Sequence, residues 1–295
     1  MAETPLTITS LVDAVIDSVQ GYSRHQDQRT SLTTGIDSDD LTLVVSDISA
    51  ISKGMLEIED EIVQVSMVDS STNTVTLEPW GRAQSGTTAA SHSAGCRVTS
   101  SPLFPRQRVR DAIYGVLREI FPAVYALASV LDTASPVETH YELPADCYQV
   151  LTVENLMIGP TNEWVPVKRW RENKQPTTVE LEVLSPLAVG SNRLRINYIK
   201  IPPASFGDSD DLTAYGYDYQ VKDLIVLGAT ARLVVNLEPA RAQVDSAVAM
   251  SRAEAVPAGA AVAAAKMLYS LFRQRVEDER QQMLVRHPMQ AHFLR

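Results

Sequence analysis

Side chains able to act as nucleophiles, general bases or metal ligands are sparse in this 295-residue chain, and their spacing limits the chemistry open to them. The five histidines are His25, His92, His140, His287 and His292. None stands with a carboxylate or cysteine at the spacing of a metal site or a catalytic triad, and no serine lies in a nucleophile-elbow sequence. The two cysteines, Cys96 and Cys147, are far apart in the chain. Neither is matched by a second thiol or a histidine at ligand spacing, so neither a disulfide framework nor a zinc site is expected. This reading assigns no enzyme activity, no cofactor and no metal.

The densest run of small and polar residues is GRAQSGTTAASHSAGC, residues 81–96. A phosphate-binding loop needs lysine and then serine or threonine after its second glycine, with a helix beyond, and a dinucleotide fingerprint needs three closely spaced glycines. Neither pattern is present. The run reads instead as a turn: Gly81 and Gly86 permit positive φ, the threonines and alanines form a short helical turn, Gly95 releases the chain into a strand, and His92 bonds locally. Two further clusters have the same two-sided character. Asp37, Asp39, Asp40, Asp47, Glu57, Glu59, Asp60 and Glu61 could gather calcium, but lack the glycine and distal glutamate of an EF-hand loop and read as a solvated face. Trp164 and Trp170 beside Lys168, Arg169 and Arg171 could stack on a base or a sugar. A strand that buries one tryptophan and packs arginine stems on the other is the simpler outcome.

The elements that must carry these residues follow from periodicity. Ile8, Leu11, Val12, Val15, Ile16 and Val19 keep helical spacing, with Ser10 and Asp13 as the expected cap. Short β-prone runs follow in LTLVVSD, MLEIEDEIVQVSMVD, NTVTLEPW and CRVTSS, with a turn expected near Glu59–Glu61. Helical spacing returns from Val109 to Leu131, interrupted by Pro122. A second β-rich stretch ends at Pro202 and Pro203, and from Tyr217 the chain reads as helical again. The expected fold class is α+β, a central helical bundle with two inserted small β domains and an extended C-terminal tail. Its parts are a first helix with linker (1–35), a β domain (36–103), a long bundle helix (104–134), a second β domain (135–205), C-terminal bundle helices (206–284) and a tail (285–295).

Composition narrows function. Lysine and arginine total 26 against 36 acidic residues, a formal charge of -10, which argues against a protein that grips nucleic acid over its whole surface. The opening residues lack the pattern of an export signal, and the longest apolar run, at 224–235, is broken by Arg232 and too short to span a bilayer. A soluble protein made in the cytoplasm is expected, with no membrane partner.

Residues 61–98 carry a family resemblance. Arg82, Gly86, Thr87, Thr88, Ala89, Ala90, His92 and Gly95 resemble the small β module of tailed-bacteriophage structural proteins, in which an arginine-bearing strand end precedes a GTTAAxHxxG-like turn. Here Gly81 precedes the arginine, whereas the family more often has the glycine after it. The order of elements along the rest of the chain resembles the head-to-tail connector, or adaptor, proteins that form a ring beneath the portal. That resemblance implies a structural virion protein in the neck between head and tail, in a ring of twelve copies. It would bind the portal above and a further neck or tail protein below, with DNA passing through the channel without specific binding. By the same analogy Val285, Arg286, His287, Met289, His292, Phe293, Leu294 and Arg295 would form the arm that docks on the portal. The chain turns locally basic from Lys266 onward, which suits such a contact. The alternatives are another neck, tail-completion or baseplate protein, or, in a different class, a carbohydrate-binding virion surface protein using Trp164 and Trp170.

Overall fold

The structure is a computed structural model that describes residues 5–22, 27–135, 139–159, 162–174, 178–236 and 260–289. Among these residues lie thirteen β-strands in three antiparallel sheets, five α-helices and one 3-10 turn. Strands dominate the architecture, which corrects the expectation of a central helical bundle carrying two small β domains. The chain divides into two compact units. A six-strand unit comprises Val12–Ile113 and Ala229–Ala265, and a two-sheet unit comprises Met1–Leu11, Tyr114–Gly228 and Lys266–Arg295.

The strands of the six-strand unit are β1 (Gln28–Ser31), β2 (Thr42–Val44), β3 (Gly54–Ile58), β4 (Glu61–Asp69), β5 (Thr74–Leu77) and β6 (Arg97–Ser100). They lie in the order β1-β6-β3-β4-β5-β2. The expected turn near Glu59 is the β3–β4 hairpin, in which Ile58 pairs with Glu61 and Glu59 takes a positive φ of 51°. Leu56, Ile58, Val63, Val65, Val75, Leu77 and Val98 form the core of the sheet. Strand β1, which pairs with β6, has almost no apolar residue and left no periodic signal.

Helix α1 (Ile8–Gln20) buries all six apolar positions that its spacing singled out. Its cap is Thr7, whose Oγ1 accepts the Ser10 N–H at 3.2 Å, and not Ser10 with Asp13. Asp13 is instead bonded to Arg97 at 2.6 Å and to Arg106 at 2.7 Å.

Helix α2 (Arg106–Ile120) is shorter than its sequence pattern suggested. It stops ahead of Pro122, which has no N–H to donate, and the chain re-enters as strand β7 (Ala126–Ala134). The residues read as the helix's second half alternate instead with a period of two: Ala126 and Ala134 are buried, while Ser129, Leu131 and Thr133 are exposed. Leu127 and Leu131 fit either period, and pairing with β13 decides between them.

The two-sheet unit continues with β8 (His140–Leu143), β9 (Cys147–Met157), β10 (Glu163–Pro166), β11 (Trp170–Lys174), β12 (Val179–Val183) and β13 (Gly190–Lys200). One sheet runs β10-β9-β13-β7 and the other β11-β12-β8. A single apolar cluster joins them: Val153, Leu194 and Ile196 from the first sheet meet Tyr141, Trp170, Leu181 and Val183 from the second. Helices α3 (Leu212–Tyr215), α4 (Val221–Val234) and α5 (Ala260–Arg286) complete the described chain. Residues 237–259, within the stretch expected as C-terminal bundle helices, lie outside the described residues.

Candidate functional site

The chemistry-bearing residues of the opening motif converge on one corner of the six-strand unit. Glu61 opens β4, just beyond the tight β3–β4 hairpin, and only 1% of it is exposed. Arg82 follows the end of β5 after a turn held by the Gly81 N–H, which donates to the Glu78 carbonyl at 2.7 Å. A β-carbon at Gly81 would stand 2.7 Å from the Gln64 carbonyl oxygen, so close approach of backbone, and not positive φ, requires the glycine. Gly86 and Gly95 do have positive φ, 82° and 85°, as a turn at each demands.

The Arg82 guanidinium clasps Glu61 through two bonds, Nε to Oε1 at 2.7 Å and Nη2 to Oε2 at 2.8 Å. Its remaining N–H groups donate to the carbonyls of Asp37 at 2.7 Å, Asp40 at 2.8 Å and Ala90 at 2.7 Å. Every donor of the side chain is used. Glu61 also accepts the backbone N–H groups of Ala83 at 3.0 Å and Ala90 at 3.1 Å. His92 closes the knot: Nε2 lies 3.0 Å from Glu61 Oε2 and Nδ1 lies 2.8 Å from Glu59 Oε2. Thr87 adds a rung, since its Oγ1 accepts the Ile62 N–H at 3.1 Å and donates to the Gln84 carbonyl at 2.8 Å. Thr88 is exposed. The expected short helical turn among these residues does not form, and the bonds of His92 reach across to the hairpin, not to its own neighbours.

Charge in this corner is set by that geometry. Burial would raise the Glu61 carboxyl, but the bonds from Arg82, His92, Ala83 and Ala90 outweigh it and hold the pKa down at about 2. Its hydrogen bond to Glu61 raises the pKa of His92, against the pull of burial, and Glu59 adds to the rise. Nearby, burial lifts Glu57 to about 7, although the Arg106 N–H donates to its carboxylate at 2.7 Å. Other acidic residues have local work. Asp47 caps the 3-10 turn through the Ser49 N–H at 2.9 Å, and Asp60 pairs with Arg106 at 3.1 Å and Arg110 at 2.5 Å. They do not gather as a calcium site. The cavity beside Glu57, Arg97 and Arg106 measures about 20 Å³, room for a water molecule but not for a substrate.

The proposed sugar platform is also accounted for. Trp170 is 1% exposed and forms part of the core between the two sheets, and the Arg195 guanidinium lies over the Trp164 ring at 4.3 Å. This is the burial-plus-stem arrangement the sequence suggested.

At the other end of the chain, the docking-arm residues divide into three groups. Val285 and Arg286 belong to the last turn of α5 and not to a separate tail. Val285 is 83% exposed, whereas Arg286 pairs with Asp218 at 2.6 Å and donates to Gln220 and Gln282 at 2.9 Å. The His287 N–H closes the helix on the Met283 carbonyl at 2.8 Å, and Met289 is exposed. His292, Phe293, Leu294 and Arg295 lie outside the described residues. On α5, Leu268 and Phe272 are buried, with Glu279 and Met283 continuing their face, while Met267 and Leu271 point to solvent.

Sequence reasoning missed one grouping. Glu59, His92 and Cys96 bring a carboxylate oxygen, a ring nitrogen and a thiol within 4.8 Å of one another. His92 and Cys96 are four positions apart within the same motif, and that spacing was the available signal.

No family model matches the chain, and no curated protein matches it. Among solved structures it is similar to a chain in the neck of an empty GTA particle computed with C6 symmetry. That likeness is at 16% identity over 42% of this chain and 64% of that one, with a TM-score of 0.23. The chain thus spans somewhat under two thirds of that neighbour's length. A likeness of this size carries no argument about fold or role.

Proposed function

We propose that this chain is a structural virion protein of the tailed-phage neck, the head-to-tail adaptor that forms a ring beneath the portal. The observation that carries the reading is the closed Arg82–Glu61–His92 knot. Of the residues that match the phage β-module turn, Arg82, Thr87 and His92 bond within the module and hold it together, with every Arg82 donor used inside it. Such a turn is a fastening and not a reactive centre, which suits a protein whose work is assembly.

The C-terminal end supplies the contact. Leu284, Val285 and Met289 leave apolar side chains in water at 44%, 83% and 52% exposure, and covering them on a partner is favourable at roughly 25 cal/mol per Å². In this reading residues from Val285 onward dock on the portal. Twelve copies close into a ring whose rotation matches that of the portal, and DNA passes through the channel without specific contacts. A further neck or tail protein binds below.

The test removes residues 287–295, which spares Met283 and the Arg286–Asp218 pair. Circular dichroism and the thermal midpoint are expected to stay unchanged while co-sedimentation with portal-bearing heads is lost. Retained binding would overturn the docking arm. Averaged electron-microscopy images of portal plus full-length protein test the ring itself, and a complex without a closed ring rejects it.

A further inference from the structure

We infer that Glu59, His92 and Cys96 form a binding site for a divalent d-block cation of the Zn²⁺ class, a site separate from the neck role proposed above. Glu61 Oε2 accepts from Arg82 Nη2 and the Ala90 N–H and lies 3.0 Å from His92 Nε2, so Nε2 carries a hydrogen and donates it. In the neutral imidazole that leaves a lone pair on Nδ1, directed at Glu59 Oε2 only 2.8 Å away. Two acceptors cannot face each other at that distance without a positive charge between them. A proton supplies one solution. A metal ion supplies the other, and here a third donor is at hand.

That donor is Cys96, whose sulfur lies within 4.8 Å of both the ring nitrogen and the carboxylate. A tetrahedral ion with bonds of ~2.0–2.3 Å holds its donors ~3.3–3.7 Å apart, so the Glu59–His92 pair, now at 2.8 Å, opens by ~0.5 Å or more and the sulfur closes by ~1.5 Å at most. Glu59 can supply its share of that movement, because its side chain is 52% exposed, while Glu61 holds the other side of the His92 ring. The Glu61 bond to Nε2 is the outer-shell carboxylate that commonly orients a metal-binding imidazole. Mixed sulfur, nitrogen and oxygen donors select Zn²⁺ or Co²⁺ over Ca²⁺ or Mg²⁺.

Charge balances on exchange. The ion displaces one proton from His92 Nδ1 and one from the Cys96 thiol, both released to water. Two positive charges replace two, with no redox change. The bound ion would tie the β3–β4 hairpin to the end of the motif loop at the entry to β6.

The test titrates the metal-free full-length chain with Co²⁺ alone at pH 8. Saturable one-to-one binding is expected, with a thiolate-to-cobalt charge-transfer band in the near ultraviolet. Zn²⁺ should displace the Co²⁺ and raise the thermal midpoint. Cys147→Ser should keep the band and Cys96→Ser should lose it, both with unchanged circular dichroism. Glu59→Gln, an exposed and structurally mild change, should weaken binding at least about tenfold. Absence of a thiolate band at millimolar Co²⁺, or a band that survives in Cys96→Ser, would overturn the site.

Discussion

In the six-strand unit the long connection between β5 and β6 is fastened by ions: buried Glu61 accepts bonds from Arg82, His92 and two backbone amides. In the two-sheet unit the corresponding work falls to apolar packing, with Trp170 and Leu181 at 1% and 0% exposure against Val153 and Leu194 of the facing sheet. The first arrangement fixes one loop path by direction, because each bond has a single acceptable geometry. The second is non-directional, and its stability follows the area and volume filled. Mutation and pH should therefore act on the two regions in different ways.

The largest expected effects are a matched pair. Arg82→Met strands the Glu61 carboxylate without its two-pronged partner and takes the Arg82 donors from the Asp40 and Ala90 carbonyls, while the Asp37 carbonyl keeps the Asp40 N–H, a loss of about 3–5 kcal/mol. Trp170→Ala opens a cavity between the sheets at a similar cost of about 3–5 kcal/mol. Urea unfolding at pH 7 should give comparable losses, and repeating it at pH 4 should separate them. The Arg82→Met deficit shrinks as Glu61 takes up a proton, while the Trp170→Ala deficit is unchanged. Equal deficits for Arg82→Met at both pH values would remove the electrostatic account of the corner.

The wild-type chain carries the same contrast in its acid response. Glu61 has a folded pKa of about 2 against an ordinary value of 4.5, so the folded state holds this proton more weakly than the unfolded chain. Its contribution is complete above pH 4.5 and drains away as pH falls through that value toward 2, about 3 kcal/mol in all. The sign is opposite for His92, whose pKa is raised above 6.5. Its contribution is complete below 6.5 and is lost as pH rises through the folded value. The corner is therefore strongest between pH 4.5 and 6.5. Hydrogen exchange of the Ala83 and Ala90 amides, which bond to Glu61, should accelerate in acid ahead of the core amides of β9 and β13. Simultaneous acceleration in both regions would contradict a local, charge-held corner.

The same division explains what could be read from the sequence. Strands β2 to β6 and helix α1 were legible because their apolar residues repeat at two or at three and four, and burial followed that repeat at Ile8, Leu11, Val63 and Val75. Strand β7 was not, since Leu127 and Leu131 satisfy a helical spacing as well and only pairing with β13 resolves them. Burial of one of the two tryptophans was foreseen, but not that it would be Trp170. The motif was recognised as a turn, but the partners of its histidine were not. Glu59 and Glu61 come from a hairpin more than thirty positions away, within a run that read as a solvated acidic face. Local sequence reports periodicity and turn chemistry, whereas charge pairing across a sheet is fixed only once the register is set.

Val285→Asp should have the smallest effect on folding and the most informative one on assembly. The side chain is 83% exposed and lies one residue before Arg286, whose pair with Asp218 holds the last turn of α5. An added carboxylate there removes no buried contact, so the unfolding free energy from urea titration should change by no more than about 0.5 kcal/mol. It does place a charge within the exposed apolar group of Leu284, Val285 and Met289, and desolvating that charge against a partner costs far more than the lost methyls. Co-sedimentation with portal-bearing heads should fall sharply in a protein whose two β cores are untouched. If binding is instead unchanged in Val285→Asp but lost when residues 287–295 are removed, the contact begins beyond the helix and the last turn of α5 serves only to aim it.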